Sequence, residues 1–331
     1  MIFASVVSGF GLTDFLWVSG LCALAALVLL WPRSQRTQRV QCIVFIAIGL
    51  MCLAFAWIRG HGEIPIRQLL TQNHLLISLL CAVSFLRLIT DTRAASGKTP
   101  KTGEKAFLQT ISGLHFFSSV INFSALILFA DALSKNQKLG RTTATSLQRG
   151  FSLAALWSPF FAAMGTCLLY APGTRLPELW VLSVPLCLFG LVFTWAEHRF
   201  RGAGGLESFE GYPVNLRALW VPSLMVVCVL GTNWAFPDLS VLVLVSALSV
   251  LVTAAVIAAR ESLSEAIVTV RNFSYSRLPD MYGELILFFS TGIMATGISV
   301  LVTTTQPALN VAGFTPGLAI VLLAILLSLA V

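Results

Sequence analysis

The chain has 331 residues, 57% of them hydrophobic and 11% charged, with a mean hydropathy of +0.87 and a net charge of +7. No soluble domain of this length carries so apolar a composition, so the chain reads as an integral, multi-pass membrane protein. Its basic residues sit in short loops between apolar runs, the ordinary topology signal, which makes the lipid bilayer the expected partner and excludes nucleic acid.

The first apolar run, near 12–31, ends at the basic cluster RSQRTQR and has no basic region before it, so a retained span rather than a cleaved signal is expected. Further spans are expected near 40–58, 70–89, 150–169, 179–196, 218–236, 239–259, 283–304 and 314–331, nine in all by this count. The seven cysteines fall within or at the ends of these runs, without CxxC or a Cys/His spacing suited to zinc, and read as small packing residues. Neither a GxGxxG nor a P-loop occurs, and no cofactor and no enzymatic activity are expected.

One stretch stands apart. Between Phe107 and Leu133 lie 27 mostly apolar residues with Lys98, Lys101 and Lys105 before them and Lys135, Lys138 and Arg141 after them. A plain crossing carries its basic excess at one end only, so the expectation is a re-entrant hairpin that enters and leaves on one side. With the N-terminus outside and this hairpin in place, all of the 21 Lys and Arg residues except Arg59, Arg67 and Arg175 fall on the cytoplasmic side; with a single crossing they divide twelve to nine. An interfacial amphipathic helix would keep the same topology, but the run FSALILFADAL is too uniformly apolar to offer a polar face.

Ser118, Ser119, Asn122 and Ser124 cluster where the hairpin should turn. Such groups either replace part of a solute's hydration or satisfy the hairpin's own open backbone, and both roles can coexist. His115, three residues earlier, is either a proton carrier or a hydrogen-bonded structural histidine. In the next span, RGFSLAALWSPFFAAMGTCLLYAPG, Pro159 removes a donor and disfavours helix at Ser158, so a break is expected there, with Gly165-Thr166 as a second weak point. Asp131 is expected to pair with Lys135, while Asp14, Glu197 and Glu284 lie at span ends and are expected to be hydrated.

The order of these parts resembles the first half of the ion transporter superfamily, which includes divalent-anion:sodium symporters, citrate carriers and arsenite permeases. SSVINFSALILFADAL is similar to that family's hairpin, and RGFSLAALWSPFFAAMGTCLLYAPG to its discontinuous helix, over roughly residues 70–196. The resemblance implies an all-α membrane protein in which Ser118, Ser119, Asn122 and Ser124 form a hairpin tip and Ser158, Pro159, Gly165 and Thr166 an unwound segment. It also implies transport of a small anionic solute coupled to Na+ or H+, scaffold dimerisation into a homodimer, and a place in a cell membrane such as the bacterial inner membrane. On that pattern residues 1–331 form a single membrane domain, with 1–106 scaffold-like, 107–196 the transport unit, and 197–331 further spans and the start of an inverted second repeat. Two other readings stand beside it: a non-catalytic subunit whose partner supplies a missing half, and an enzyme acting on lipid with His115 or Asp131 as general base.

Overall fold

Long runs of Leu, Val, Ile and Ala have no water to exchange hydrogen bonds with inside a bilayer, so their backbone must close on itself, and helices result. The computed structural model describes residues 1–12, 14–59, 65–90, 101–134, 139–171, 173–201, 206–207, 209–212 and 220–311. Over these residues the regular secondary structure is helical apart from one two-residue antiparallel pair, Lys101–Thr102 with Glu210–Gly211.

In chain order the helices are α1 (Ile2–Gly9), α2 (Leu16–Leu30), α3 (Arg36–Ile58), α4 (Ile66–Thr71), α5 (His74–Ser84), α6 (Glu104–Ile121) and α7 (Phe123–Ser134). They continue with α8 (Arg141–Ala154), α9 (Ala162–Tyr170), α10 (Leu176–Arg201), α11 (Trp220–Ala235), α12 (Val241–Arg260), α13 (Leu263–Ser276) and α14 (Tyr282–Val311). Among the described residues six segments are long and apolar enough to cross a membrane: Leu16–Arg33, Arg36–Ile58, Ile66–Leu88, Leu176–Phe200, Val241–Arg260 and Leu278–Thr304. Each coincides with a span expected from sequence. The expected span near 218–236 is the shorter α11, that near 150–169 is divided between α8 and α9, and that at 314–331 lies outside the described residues.

Two compact units emerge, and neither is contiguous in sequence. The first comprises Met1–Ser19 and His74–Met281. Its centre is α5 against α12, with Leu79, Val83, Leu114, Phe129, Phe160, Met225 and Val245 all buried in one apolar cluster. The buried hydroxyls of α12 turn back on their own helix: Ser246, Ser249 and Thr253 each donate to the carbonyl four residues earlier, at 2.7 Å, so none is left open to an apolar interior. By contrast α10 exposes Leu182 and Phe189 over most of their surface, as expected of a helix facing lipid.

The second unit comprises Gly20–Asn73 and the helix that begins at Tyr282. Here α3 and α14 cross with their backbones in contact. A Cβ built on Gly297 would lie 2.2 Å from Gly49 O, and one built on Gly49 would lie 2.7 Å from Ile293 O. Small residues at such a crossing let two helices gain dispersion contact that lipid tails cannot supply. Beside it the Asn73 amide donates to Phe288 O at 2.8 Å and to Thr291 Oγ1 at 3.2 Å, bringing the end of α4 onto α14.

The foot of α6 is held by α10. Glu104 accepts from Trp195 Nε1 at 2.7 Å and pairs with the Arg199 guanidinium, while Glu197 on the same turn of α10 pairs with Arg149 of α8. The Trp195 hydrogen bond, with Arg199 assisting, holds the Glu104 carboxyl below the usual range. A depressed carboxylate contributes its stabilisation fully above the ordinary value, and loses it as pH falls through the depressed one. Acidification through the depressed carboxyl, below the ordinary carboxylate range, should therefore loosen α6 from α10, read as a shift in tryptophan emission that Glu104→Gln shows already at neutral pH. An unchanged emission in that variant would remove Glu104 from the clamp.

Candidate functional site

The sequence EKAFLQTISGLHFFSSVI gives α6 a helix that ends where Asn122 takes φ 52° and ψ −138°, a conformation other side chains rarely adopt. Asn122 N closes α6 on Ser118 O at 3.0 Å, and Asn122 O opens α7 by accepting from Ala125 N at 3.0 Å. The chain reverses at this one residue: the rings of Phe117 and Phe129, twelve positions apart, meet at 6.0 Å. The stretch singled out by its flanking charges is thus a helical hairpin, Glu104–Ser134, with the Ser/Asn cluster at its tip. Lys135 and Lys138 lie outside the described residues, and with them the expected Asp131–Lys135 pair; Asp131 itself is exposed.

The second half of the site comes from the break between α8 and α9. Pro159 offers no N–H, and the seven residues 155–161 form turns rather than helix. Ser158 and Pro159 are both buried in that break. The Ser158 hydroxyl accepts from Phe160 N at 3.2 Å and donates to Ser119 O across the interface. From the other side, Asn122 Nδ2 donates to Phe160 O at 3.1 Å. The hairpin tip and the helix break therefore fasten to each other through the groups that each leaves open.

Two polar atoms of the tip are buried without a hydrogen-bond partner among the described residues, Ser118 Oγ and Asn122 Oδ1, as is Ser183 Oγ on α10. One is a donor and acceptor, the other an acceptor, and an orphaned group of either kind costs about 1–3 kcal/mol. No ionisable side chain occurs in the tip, 118–124, or in the break, 155–161. The electrostatic contribution available there is that of helix ends, since α7 and α9 both begin in this region and their first N–H groups have no intrahelical acceptor.

The other expected site residues are placed differently. Ser119 is buried, but its hydroxyl donates to Phe116 O at 2.7 Å, so its main-chain carbonyl rather than its side chain takes part. Ser124 is half-buried in the first turn of α7. Gly165 and Thr166 lie within the regular helix α9 rather than in an unwound segment. A Cβ on Gly165 would meet Leu76 at 2.9 Å and Leu79 at 3.1 Å, so it is a packing glycine, and Thr166 donates back to Ala162 O at 2.7 Å. Glu197, expected to be hydrated, is paired with Arg149, and Asp14 accepts from Leu16 N at 3.2 Å at the start of α2.

His115 sits one turn before the tip and is buried. Its Nδ1 lies 3.0 Å from Gly150 O on α8, its Nε2 accepts from Trp157 Nε1 at 3.0 Å, and Cys187 Sγ of α10 lies 3.5 Å from the same Nε2. Trp157 is the residue before Ser158 in the break, and its carbonyl accepts from Trp180 Nε1 at 2.6 Å. Neither Trp157 nor Cys187 carries a sequence signal that marks it out. A tryptophan or a cysteine inside an apolar run reads as packing.

Comparison of the chain with protein-family models, with curated proteins and with solved structures returns no match.

Proposed function

We propose that this membrane protein is a secondary active transporter of a small anionic solute, coupled to Na+ or H+, with the α6–α7 tip and the α8–α9 break forming one side of a midplane site. The cytoplasmic loops would carry the basic excess, the N-terminus would lie outside, and the hairpin would be re-entrant. The observation that carries this reading is the pair of orphaned polar atoms, Ser118 Oγ and Asn122 Oδ1, buried where two interrupted helices meet. In carriers, irregular backbone at membrane depth is tolerated where it lines a solute pathway, and paired helix interruptions are the best pointer to it. A hydroxyl donor suits an anion's oxygen, and an amide oxygen suits a coupling cation or a donor-bearing solute. The likeness of the hairpin and broken-helix order to the ion transporter superfamily supports the same class.

The test is uptake by the purified full chain in proteoliposomes, with labelled dicarboxylates, citrate, arsenite and sulfate offered under imposed Na+ and H+ gradients. Accumulation of one of them driven by either gradient is the expected result. Ser118→Ala should then lower uptake about tenfold while leaving thermal stability equal or higher, because it deletes an orphaned hydroxyl. Ser119→Ala should retain uptake within about twofold, since that hydroxyl is used within its own helix. Equal loss in both variants would detach function from the orphaned atoms.

A further inference from the structure

Three elements, α8, the break and α10, converge on the His115 ring, and the chemistry of their atoms fixes its resting form. Gly150 O only accepts, so Nδ1 at 3.0 Å carries a proton; Trp157 Nε1–H only donates, so Nε2 at 3.0 Å is the bare acceptor. The resting imidazole is therefore neutral with both nitrogens engaged, and the Cys187 thiol, 3.5 Å from Nε2, has its proton to share with the same lone pair. We infer that His115 is a proton-operated latch on the helix break: a proton taken up at Nε2 turns the acceptor of Trp157 into a donor and frees the Trp157 end of segment 155–161 from the His115 turn of α6.

The consequence follows from what Trp157 is attached to. With Nε2–H facing the indole N–H, two donors oppose each other, and one of the hydrogen bonds between the break and α6 is replaced by a repulsion. The adjacent Ser158 bonds Ser119 O, and Phe160 O takes the Asn122 amide, so the freed segment holds both contacts to the tip. The bond from Trp180 to Trp157 O keeps the segment anchored to α10 while its indole leaves α6, which makes the movement local. The proton comes from water and resides on Nε2, and the Cys187 S–H must turn away from it; no other bond forms or breaks.

Of the other charged and titratable groups on the packed elements, Glu104 and Lys105 stand at the start of α6, Arg141 at the start of α8 and Glu178 in the first turn of α10, and others have partners of their own. On α8, Arg149 pairs with Glu197 of α10; on α10, His198 lies 2.7 Å from Thr194 O and 3.1 Å from Ser146, and Arg199 pairs with Glu104. Asp131 on α7 is exposed. Among the described residues the titratable group within hydrogen-bond reach of the His115 ring is the Cys187 thiol. As a coupling device the latch rests on the transport reading, in which it would link proton uptake to release of the tip.

The experiment needs no solute, so its outcome is independent of whether transport is found. Backbone amide hydrogen exchange is followed for the full chain in nanodiscs at about pH 8 and about pH 5, each corrected for intrinsic chemical exchange. Protection of residues 155–161 in the parent should fall about tenfold at the lower pH, while α3 is unchanged. His115→Gln should abolish that fall, and Trp157→Phe should show low protection at both pH values. Equal protection of the parent at both pH values overturns the latch. A fall that persists in His115→Gln assigns the effect to another group such as His198 and overturns it too. Should His115→Gln not fold, a parent-sized pH step in Trp157→Phe overturns it equally.

Discussion

Asn122→Gly is expected to leave the folded protein within about 1 kcal/mol of the parent and to lower solute uptake about tenfold or more. Asn122 holds φ 52° and ψ −138°, a strained geometry for a residue with a Cβ. Removing the side chain relieves strain worth about 1–3 kcal/mol. It also deletes the amide bond to Phe160 O and adds backbone freedom to the unfolded chain, costs of about 1 kcal/mol each. Those terms nearly cancel in stability but not in function, because the amide oxygen and the hold on the break are both gone. Asn122→Ala lacks the relief and should lose about 1–2 kcal/mol as well as uptake. Thermal unfolding in detergent and proteoliposome uptake read the two effects separately. Parent-level uptake by Asn122→Gly would remove Asn122 from the site.

Gly297→Val is expected to destabilise the protein by about 3 kcal/mol or more. The obstacle to a side chain there is the carbonyl oxygen of Gly49, 2.2 Å from the built Cβ, and a main-chain atom cannot rotate aside. The two helices must part along their crossing, losing close contact on both sides, in a medium where no hydrophobic gain offsets the loss. Gly231→Ala supplies the contrast: it lies in α11 with nothing within 4 Å of its built Cβ, and should gain about 0.5–1 kcal/mol from helix propensity alone. Equilibrium unfolding of the two variants under one detergent condition should move in opposite directions. Equal stability of Gly297→Val and the parent would mean that α3 and α14 do not cross on these glycines.

The membrane helices were legible because span length and apolar composition are read along the chain. The reversal at Asn122 was legible for a different reason: Ser/Asn residues mark a place where backbone groups are open, while the charges on both sides of the stretch bear on its membrane sidedness, which belongs to the proposed arrangement. The Ser158-Pro159 break likewise follows from one missing donor. What stayed hidden depends on facing rather than on position. Ser118 and Ser119 are neighbours in sequence, yet one helical step of rotation leaves the first hydroxyl orphaned and turns the second back on Phe116 O. Gly165 looked like a weak point, whereas its role is to admit Leu76 and Leu79. The Glu104 clamp joins residues about ninety positions apart, and the Gly49–Gly297 crossing joins residues still farther apart, so neither leaves a local trace. The helices α1 and α13 escaped notice because neither is long or uniformly apolar enough to register as a span.

The lengths of the interrupted helices carry a consequence for biogenesis. At about 1.5 Å per residue, α7 with 12 residues and α9 with 9 fall well short of an apolar layer about 30 Å thick. Neither half therefore carries an address that a translocation machinery reads as a crossing segment. Their polar ends become tolerable only once Ser158 has found Ser119 O and Asn122 has found Phe160 O. On the proposed re-entrant arrangement, lodging them would be a docking step that follows insertion of the long helices, and a chain arrested before that step would present its tip and its break to proteases first.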